Sequence, residues 1–379
     1  MAGETIMALI KVKERGREFV NLGRRNLVIN GDMQVWQRAV TSAALTHNTD
    51  IYHSVDRWSA VLDQNEGSGT LTTTFSRDTD VPATEMFPFS LKAVVNSSSF
   101  TPSGTDCTAL FSHTIETLNA NPLGWGTSNA KPATLSYWIK SSVAGTGTLQ
   151  LRLYDSSSVS SDQDGNYYTK FTINQANTWE KKTHLIPANV TDGWRRDVSE
   201  NGIQMFWFFG SNQAAASTQD AWFRNNNYGQ RHDDMTLNFQ TTGGTAYLTG
   251  CQLEVGDSAT EFEHRSFGEE YSLCKRYFQK TYKYDTYLTA NVEEGCFDFI
   301  PTSTNDKYCA NFEMSMRAAP EMTIYRKNGG GTNAAQKGDN SGNYATLSNI
   351  DIVDRGIEFS TNVTNLRHYR FHYYADAEV

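Results

Sequence analysis

The sequence predicts an all-β protein, and three observations lead to that prediction. Short segments in which apolar and polar residues alternate recur along the chain, as expected of half-buried strands. Loops rich in Gly, Ser, Asn and Asp separate these segments, whereas periodic helical segments are scarce. Aromatic residues make up 12% of the 379 residues. A chain of this length has room for two or three domains, each with its own core.

Eight candidate strands follow one another in the first two thirds of the chain. In one of them, apolar residues at positions 135, 137 and 139 alternate with Ser136, Trp138 and Lys140. Such alternation places one face of a strand in the core and the other in water. Short strands joined by polar loops predict a sandwich or jelly roll. The predicted strands are Phe89–Val95, Ala109–Glu116, Thr134–Ser141, Thr148–Asp155, Tyr167–Asn174, Trp179–Pro187, Ile203–Phe209 and Tyr247–Val255.

Three features precede this series of strands. Residues 1–25 are a charged segment, which is either an attachment arm that orders on a partner or an edge strand or frayed terminus. The next segment suggests two short strand pieces on either side of the turn dipeptide Asn30-Gly31. Asp56 and Arg57 form either a buried ion pair beside a core tryptophan or a simple turn.

A strand and a helix follow each other closely before the last third of the chain. The strand ends at Gly256, and Ser266 stands three residues before Glu269, which is the spacing of a capping box. Apolar residues then recur at helical spacing as far as Phe278. This pattern predicts a helix over residues 266–280 that connects two β-domains.

The last hundred residues predict a second, smaller β-sandwich. An alternating stretch from Tyr308 to Arg317 indicates a half-buried strand, and the glycine-rich segment Asn328–Asn343 indicates a long exposed loop. Further predicted strands are Cys296–Ile300, Met322–Arg326, Gly356–Ser360 and His368–Ala375. The predicted division is therefore an arm over 1–25, a jelly roll over 26–265, a connecting helix over 266–280 and a C-terminal β-sandwich over 281–379.

Charge and cysteine usage exclude several classes of function. The net charge of −9 argues against a nucleic-acid surface, which needs clustered Lys and Arg, although a small local basic patch remains compatible with it. The five cysteines are odd in number and contain no CxxC pair, so neither a disulfide framework nor a zinc site is expected. The apolar run Ile6–Ile10 is too short for a signal peptide or a membrane span. We expect folding in a reducing cytoplasm, with no insertion into a membrane.

Several segments resemble one recurring module. These are RRNLVINGDMQVWQR at 24–38, YHSVDRW at 52–58 and LTGCQLEVGDSATEFEHRSFGEEYSLCKRYFQK at 248–280. They look like a module of bacteriophage tail-fibre and other virion proteins, which is similar to the galactose-binding-like jelly roll of carbohydrate-binding modules. The ending YYADAEV at 373–379, after MRAAP at 316–320, resembles the tip domain that often follows this module.

The resemblance carries several implications. It implies a virion component made in the cytoplasm of a bacterial host, usually a homotrimer, attached to other virion proteins through its N-terminal arm. Such a protein commonly faces a host surface glycan or receptor. We therefore expect a non-enzymatic tail fibre or receptor-binding protein. A capsid fibre, cement or decoration protein is the first alternative, and a glycan-cleaving tail enzyme is the second.

Three loops carry the mixture of side chains that sugar binding needs. Aromatic faces stack on the C–H side of a pyranose, while amides, carboxylates and guanidinium groups bond its hydroxyls. The same aromatic residues could instead close the ends of the sandwich or form contacts between subunits. The candidate glycan-binding residues in these loops are Trp125, Trp194, Trp222, Arg224, Asn226 and Tyr228.

Metal binding and catalysis have weaker signals. Residues 162–166, DQDGN, echo the start of a calcium loop but lack its distal glutamate, so a turn is the simpler interpretation. Members of the resembled family often hold a structural calcium ion, and Asp32 or Glu254 could lie near such an ion. No cofactor is assigned. The stretches 232–234 and 261–264 offer carboxylates, but local sequence cannot place two of them at the separation that glycoside hydrolysis requires. No catalytic residue is therefore predicted.

Overall fold

A computed structural model gives the fold, which is built almost entirely from β-strands with two short α-helices. It describes residues 24–378 except positions 40, 43, 47–48, 53, 64–66, 102, 105, 154–163, 191–200, 225–228, 238–241, 285, 287–291, 304–305, 328–332, 339–343 and 365. The prediction of an all-β protein with a sandwich, a short helix and a second, smaller sandwich is confirmed. The predicted arm lies outside the described residues apart from Arg24 and Arg25.

The first sandwich occupies the chain up to Val255. Its elements are β1 (Thr49–Tyr52), β2 (Trp58–Asp63), β3 (Leu71–Asp78), β4 (Ser90–Ser98), β5 (Cys107–Glu116), α1 (Thr117–Ala120), β6 (Ala133–Ser141), β7 (Gly145–Leu153), β8 (Gly165–Ile173), β9 (Glu180–Ile186), β10 (Asn201–Ser211), β11 (Trp222–Arg224) and β12 (Thr245–Val255). All eight predicted strands are present. The alternation did not reveal β1, β2, β3 or β11.

The described strands form two antiparallel sheets that enclose one core. The seven-stranded sheet has the order β1-β2-β5-β10-β7-β8-β11, and the five-stranded sheet has the order β3-β4-β12-β6-β9. Large aromatic side chains fill the space between them. Trp58 and Trp207, both fully buried, lie 5.8 Å apart between ring centroids, and Tyr137 meets Trp207 edge-on at 5.4 Å. Burial of such rings is the main source of stability in a sandwich.

The segment before β1 does not form the two predicted strand pieces. The predicted turn is present, since Asn30 has a φ of +58°, as a tight Asn-Gly turn requires, but the residues on either side of it form no strand. Its side chain accepts a hydrogen bond from the Val35 backbone N–H (2.9 Å) and donates to the Asp56 carbonyl (2.9 Å). The backbone itself is bonded to β12, since Leu27 N donates to Leu253 O at 2.9 Å. Side-chain bonds from one asparagine thus replace a strand ladder.

The connecting helix is shorter than predicted. α2 spans Phe267–Lys275, and Ser266 caps it by accepting a hydrogen bond from the Glu269 backbone N–H at 3.3 Å. The predicted continuation to residue 280 is wrong because Phe278–Lys280 forms strand β13 instead. Pairing with a long strand of the second sandwich overrides the helical spacing there. In the described part of the chain, no helix is long and apolar enough to cross a membrane.

The second sandwich has its own core and is organised around its last strand. Its elements are β13 (Phe278–Lys280), β14 (Phe297–Phe299), β15 (Tyr308–Asn311), β16 (Glu321–Arg326), β17 (Ala334–Lys337), β18 (Tyr344–Val353), β19 (Gly356–Thr361) and β20 (Tyr369–Asp376). The order is β13-β20-β17-β18-β19-β15, and β14 and β16 also pair with β20. Phe359 and Phe371 are fully buried at its centre.

Two predictions in this part are corrected. The strand predicted over Tyr308–Arg317 ends at Asn311, because Phe312 N and Met316 N bond the turn between β18 and β19 instead of a neighbouring strand. The predicted loop Asn328–Asn343 contains strand β17, and β18 follows it directly; neither was predicted.

Charged side chains are buried where the two sandwiches meet. Arg57 is fully buried, forms an ion pair with Glu378 and lies 3.5 Å from the ring centroid of Tyr277. Asp56 is also fully buried, but it accepts from Gln37 N (3.0 Å) and does not pair with Arg57. Of the two predicted alternatives, the turn is present, because Trp58 N donates to Val55 O at 3.2 Å, and each of the two residues makes its own buried interaction. Because each buried charge has a partner, the junction avoids the large cost of an isolated ion.

Candidate ligand-binding face

Two of the tryptophans predicted to bind sugar, Trp125 and Trp222, take part in packing. Trp125 is fully buried, and its indole N–H donates to the Lys131 carbonyl at 2.7 Å. Trp222 is half-buried, packs edge-on against Trp125 with 5.0 Å between ring centroids, and donates to the Pro187 carbonyl at 2.8 Å. In this arrangement Trp125 has no exposed face on which a sugar could stack, which corrects that prediction.

The remaining loop candidates are placed only in part. Arg224 is exposed at the end of β11. Trp194, Asn226 and Tyr228 lie outside the described residues. Trp222 and Arg224 both belong to β11, and Trp222 packs against the hydrophobic core of the first sandwich.

A different group of aromatic residues lies on the outer face of the five-stranded sheet. In β6, Tyr137 and Ile139 point into the core, so Trp138 and Lys140 lie on the opposite face. In β12, Leu248 belongs to the core, so Tyr247 shares that outer face with them.

Strand register brings these residues into one row across the sheet. Lys92 of β4 is opposite Tyr247, and Tyr247 is opposite Lys140. Trp179 immediately precedes β9 and continues the row, with 6.0 Å between its ring centroid and that of Tyr247. The Lys140 ammonium lies 4.3 Å from the Tyr247 ring centroid and 5.2 Å from that of Trp179. These distances are within the range of cation–π contacts.

Two carboxylates hold the cations and one indole of this row in place. Asp78 accepts from Lys92 Nζ at 2.9 Å, and Asp80 forms an ion pair with Lys140. Asp80 also accepts from the Trp179 indole N–H at 2.9 Å. Partial burial alone would raise the pKa of Asp80, but the hydrogen bonds from Lys140 and Trp179 outweigh it, so the pKa lies below its ordinary value. Asp80 therefore remains ionised at neutral and mildly acidic pH.

Trp138 lies beside this row and has spare bonding capacity. It is opposite Thr249 of β12 and Lys181 of β9, and it is partly exposed. Lys140 is two positions further along the strand, which corresponds to about 7 Å. Among the described residues, its ring stacks on no other ring and its indole N–H has no hydrogen-bond partner.

A bulge in β12 marks one limit of this face. Gly250 has a φ of +62°, and a Cβ built there would lie only 2.4 Å from the Phe87 ring, so only glycine fits. Beyond the bulge, Gln252 and Glu254 are covered by the segment after β12, since Glu254 accepts from Thr260 N at 2.8 Å. The part of the face that this segment leaves uncovered lies on the side of Tyr247, where Trp138, Trp179 and Lys92 are partly exposed and Tyr247 and Lys140 are nearly buried. We call the set Trp138, Trp179, Tyr247, Lys92, Lys140, Asp78 and Asp80 the aromatic–ionic face.

The aromatic–ionic face suits a ligand that combines apolar and hydroxyl surfaces. Two partly exposed indoles offer flat platforms, and the paired lysines and aspartates offer donors and acceptors of hydrogen bonds. Because opposite charges are paired, the face does not select strongly for a charged ligand. Sequence reasoning missed this site, although Trp138 stands among the polar residues of an alternating strand, where a large aromatic residue is unusual.

The residues considered for calcium already have protein partners. Asp164 pairs with Arg152, and Asn166 accepts from Gln150 Nε2 at 2.7 Å; positions 162 and 163 lie outside the described residues. Burial raises the pKa of Asp32 to about 6, although Gln34 donates a hydrogen bond to it at 2.7 Å. The other oxygen of Asp32 is buried and has no hydrogen-bond partner among the described residues.

Another group of potential ligands occurs on the opposite sheet. Within the described ranges, His232, Asp233 and Asp234 place one ligand atom each within 4.8 Å of one another. The buried His232 imidazole lies 2.9 Å from an Asp233 oxygen, and Asp234 is held by Lys170. A metal at this position would have to displace that lysine. The other predicted carboxylate stretch is structural, because Glu263 accepts from the backbone N–H of Asn26 at 2.9 Å.

Comparison with known proteins gives no assignment at the level of sequence. No protein-family model matches the chain, and no curated protein matches it. A family 11 carbohydrate-binding module from Clostridium thermocellum matches 60% of the chain over 99% of its own length, with 9% identity and a TM-score of 0.25. A xylan-binding domain from Paenibacillus barcinonensis matches 59% of the chain over 99% of its length, with 9% identity and a TM-score of 0.25.

A bacteriophage structure is also similar. The enzymatically active domain of tailspike protein 4 of bacteriophage CBA120 matches 61% of the chain, with 13% identity and a TM-score of 0.31. The match spans only 22% of that tailspike structure. None of these similarities assigns the chain to a family.

Proposed function

We propose that the protein binds a carbohydrate through the aromatic–ionic face. The observation that carries this proposal is the row in which Trp179 and Tyr247 flank Lys140, with Asp80 bonded to both the lysine and the Trp179 indole. The donors and acceptors are held in position before a ligand arrives, which lowers the entropy cost of binding. Trp138 adds a second indole whose ring and N–H remain available.

We propose further that this binding serves attachment of a virus particle to a bacterial surface glycan. The segments at 24–38, 52–58 and 248–280 that resemble virion proteins support this role. In this proposal the N-terminal arm joins the chain to other virion proteins and three copies form a homotrimer. Trp194, Arg224, Asn226 and Tyr228 then contribute either to the same ligand or to contacts between subunits.

Glycan binding is tested by comparing two tryptophan substitutions. Trp138→Ala should weaken binding to a glycan array and to extracted bacterial surface polysaccharide about tenfold or more, since a stacked aromatic ring contributes on the order of 1.5 kcal/mol beyond the area it buries. The melting temperature should change little because Trp138 is partly exposed. Trp222→Ala is the matched control: it should lower the melting temperature but leave the affinity of the folded protein unchanged.

The outcomes also separate the alternative roles. Loss of binding in Trp222→Ala alone, with Trp138→Ala like wild type, would move the site to the β11 loop. Release of new reducing ends from the polysaccharide would identify a glycan-cleaving enzyme. If the folded wild-type protein bound none of the glycans, a capsid fibre, cement or decoration protein would be favoured. Immunogold labelling would then show the position of the protein on the particle.

A further inference from the structure

A basic depression lies at one end of the second sandwich, where β17 ends and β20 begins. It has a volume of about 330 Å³ and is lined by Lys337, Gly338, Arg367, His368 and Arg370. The two chain segments are joined at this point, because Gly338 N donates to His368 O at 2.8 Å. Four basic side chains are thus brought together by the pairing of strands that are far apart in sequence. We call these four side chains the basic pocket.

One carboxylate orients two of these side chains. Asp298 accepts from Arg370 Nε at 2.7 Å through one oxygen and from His368 Nδ1 at 2.8 Å through the other. Glu293 accepts from Arg370 Nη1 at 3.2 Å. Within the described residues, this leaves Nη2 of Arg370 and Nε2 of His368 without a partner, and Arg367 makes no hydrogen bond or ion pair.

Positive charge exceeds negative charge around the pocket. Behind it, the almost fully buried Lys327 ammonium is bonded to Glu293 and donates to Gly338 O at 3.3 Å. Among the described residues, the lysine and arginine side chains at this position are Lys337, Arg367, Arg370 and Lys327, and the carboxylates bonded to them are those of Glu293 and Asp298. This is an excess of positive charge in a chain whose net charge is −9. A local excess that the rest of the chain does not share indicates a ligand of opposite charge.

We propose that the basic pocket binds a negatively charged group of a polysaccharide: a carboxylate, phosphate or sulfate. The guanidinium group of Arg367 can donate two parallel hydrogen bonds to such an oxyanion, and Nη2 of Arg370 can donate a further one. The pocket lies on the second sandwich, so this proposal does not depend on the aromatic–ionic face. A protein with both sites would recognise an acidic polysaccharide at two points, one through its sugar rings and one through its charge.

The test uses polymers that differ only in charge. We expect the basic pocket of the wild-type protein to bind dextran sulfate and polygalacturonate. It should bind unmodified dextran, which carries no charge, much more weakly. Arg367→Gln should weaken dextran sulfate binding about five- to tenfold, which corresponds to the loss of one charge-assisted hydrogen bond. Because Arg367 is exposed and unpaired among the described residues, the substitution should leave the fold intact.

Arg355→Gln is the matched control, because Arg355 is a similarly exposed arginine at the turn between β18 and β19. It should leave binding unchanged. Inorganic sulfate should displace dextran sulfate more strongly than sodium chloride of equal ionic strength does. The proposal is overturned if Arg367→Gln binds like wild type, if Arg355→Gln loses as much affinity, or if the two salts act equally.

Two further comparisons complete the test. A single-stranded oligonucleotide that binds as tightly as dextran sulfate, with the same dependence on Arg367, would show a general polyanion site and overturn the proposal. Trp138→Ala should retain dextran sulfate binding, and Arg367→Gln should retain binding to neutral glycans. The proposals for the two sites can therefore be refuted independently of each other.

Discussion

The two outer faces of the first sandwich differ in what covers them. On the seven-stranded sheet, outward-facing Cys107, Phe206 and Phe208 form a small apolar cluster against which Met235 packs. On the five-stranded sheet, the outward-facing row consists of lysines, a tyrosine and a tryptophan. The first face would expose apolar rings to water if it were bare, whereas the second carries charges that water solvates well.

The chain itself closes the apolar face. After β10 it folds back across the seven-stranded sheet, where His232 N donates to Thr148 Oγ1 at 2.9 Å and Leu237 N to Thr146 O at 2.8 Å. On the five-stranded sheet, the segment that includes Thr260 covers the part beyond the bulge at Gly250, whereas Trp138 and Trp179 before it are partly exposed. The composition of the two outer faces thus differs with their covering: the apolar face is packed by its own chain, and the mixed aromatic and charged face is the one that we propose to bind a ligand.

The largest expected effect comes from opening the covered face. Phe208→Ala should lower the free energy of unfolding by about 3–4 kcal/mol, because it removes a fully buried ring and leaves a cavity. Urea denaturation at neutral pH measures this change. Trp138→Ala on the open face is the control and should cost about 1 kcal/mol or less. If the two substitutions lowered the free energy of unfolding equally, the two outer faces would be packed alike and would not differ in covering.

Acid should separate stability from binding in the same sheet. His184 lies on the core side of β9, and its Nε2 shares a hydrogen bond of 3.0 Å with the Tyr137 hydroxyl. Burial lowers the pKa of His184 to about 4, so the folded protein keeps it neutral while the unfolded chain protonates it near pH 6.5. The contribution of neutral His184 to the free energy of unfolding is present in full above pH 6.5. It is lost as the pH falls towards 4, and the total loss is roughly 3 kcal/mol.

His184→Gln should flatten this part of the pH profile, as measured by denaturation at pH 7, 6 and 5. Asp80 on the opposite face has a lowered pKa and stays ionised over this range, so glycan affinity of the folded protein should persist at pH 5. An unchanged slope in the variant would assign the acid sensitivity to other buried histidines, such as His113, whose pKa is also lowered by burial.

Although alternation missed β3, whose buried and partly exposed residues alternate, it predicted eight strands of the first sandwich. β6 is the clearest case, because its outer residues Ser136, Trp138 and Lys140 mark the register as well as the element. The same rule fails for Asn26–Val35, where backbone groups are bonded by the Asn30 side chain and by β12. It also fails near Phe278, where pairing with β20 overrides the helical spacing. In each case one partner is more than 90 residues away in sequence, since Leu27 bonds Leu253 and Phe278 is opposite Asp376.

The candidate site was harder to predict than the fold for the same reason. Tryptophans in loops were predicted to bind sugar, yet Trp125 and Trp222 pack against each other. The aromatic–ionic face depends on which strands are neighbours, since Lys92, Tyr247 and Lys140 come from three strands that adjoin only in the folded sheet. Composition and local spacing carry no information on that adjacency, although Trp138 at a polar position of β6 was a usable signal.

The smallest expected effect comes from the edge of the open face. Leu185 of β9 is 54% exposed and lies opposite Thr134 at the far side of the sheet from Lys92. Leu185→Thr should change the free energy of unfolding by less than about 0.5 kcal/mol and leave glycan affinity unchanged, because threonine suits an exposed strand and little buried area is lost. Ile186→Thr, one residue away on the core side, should instead cost about 2 kcal/mol. If Leu185→Thr weakened glycan binding while the melting temperature stayed constant, the ligand would extend to the sheet edge beyond Trp138, and the open face would be wider than the row through Tyr247.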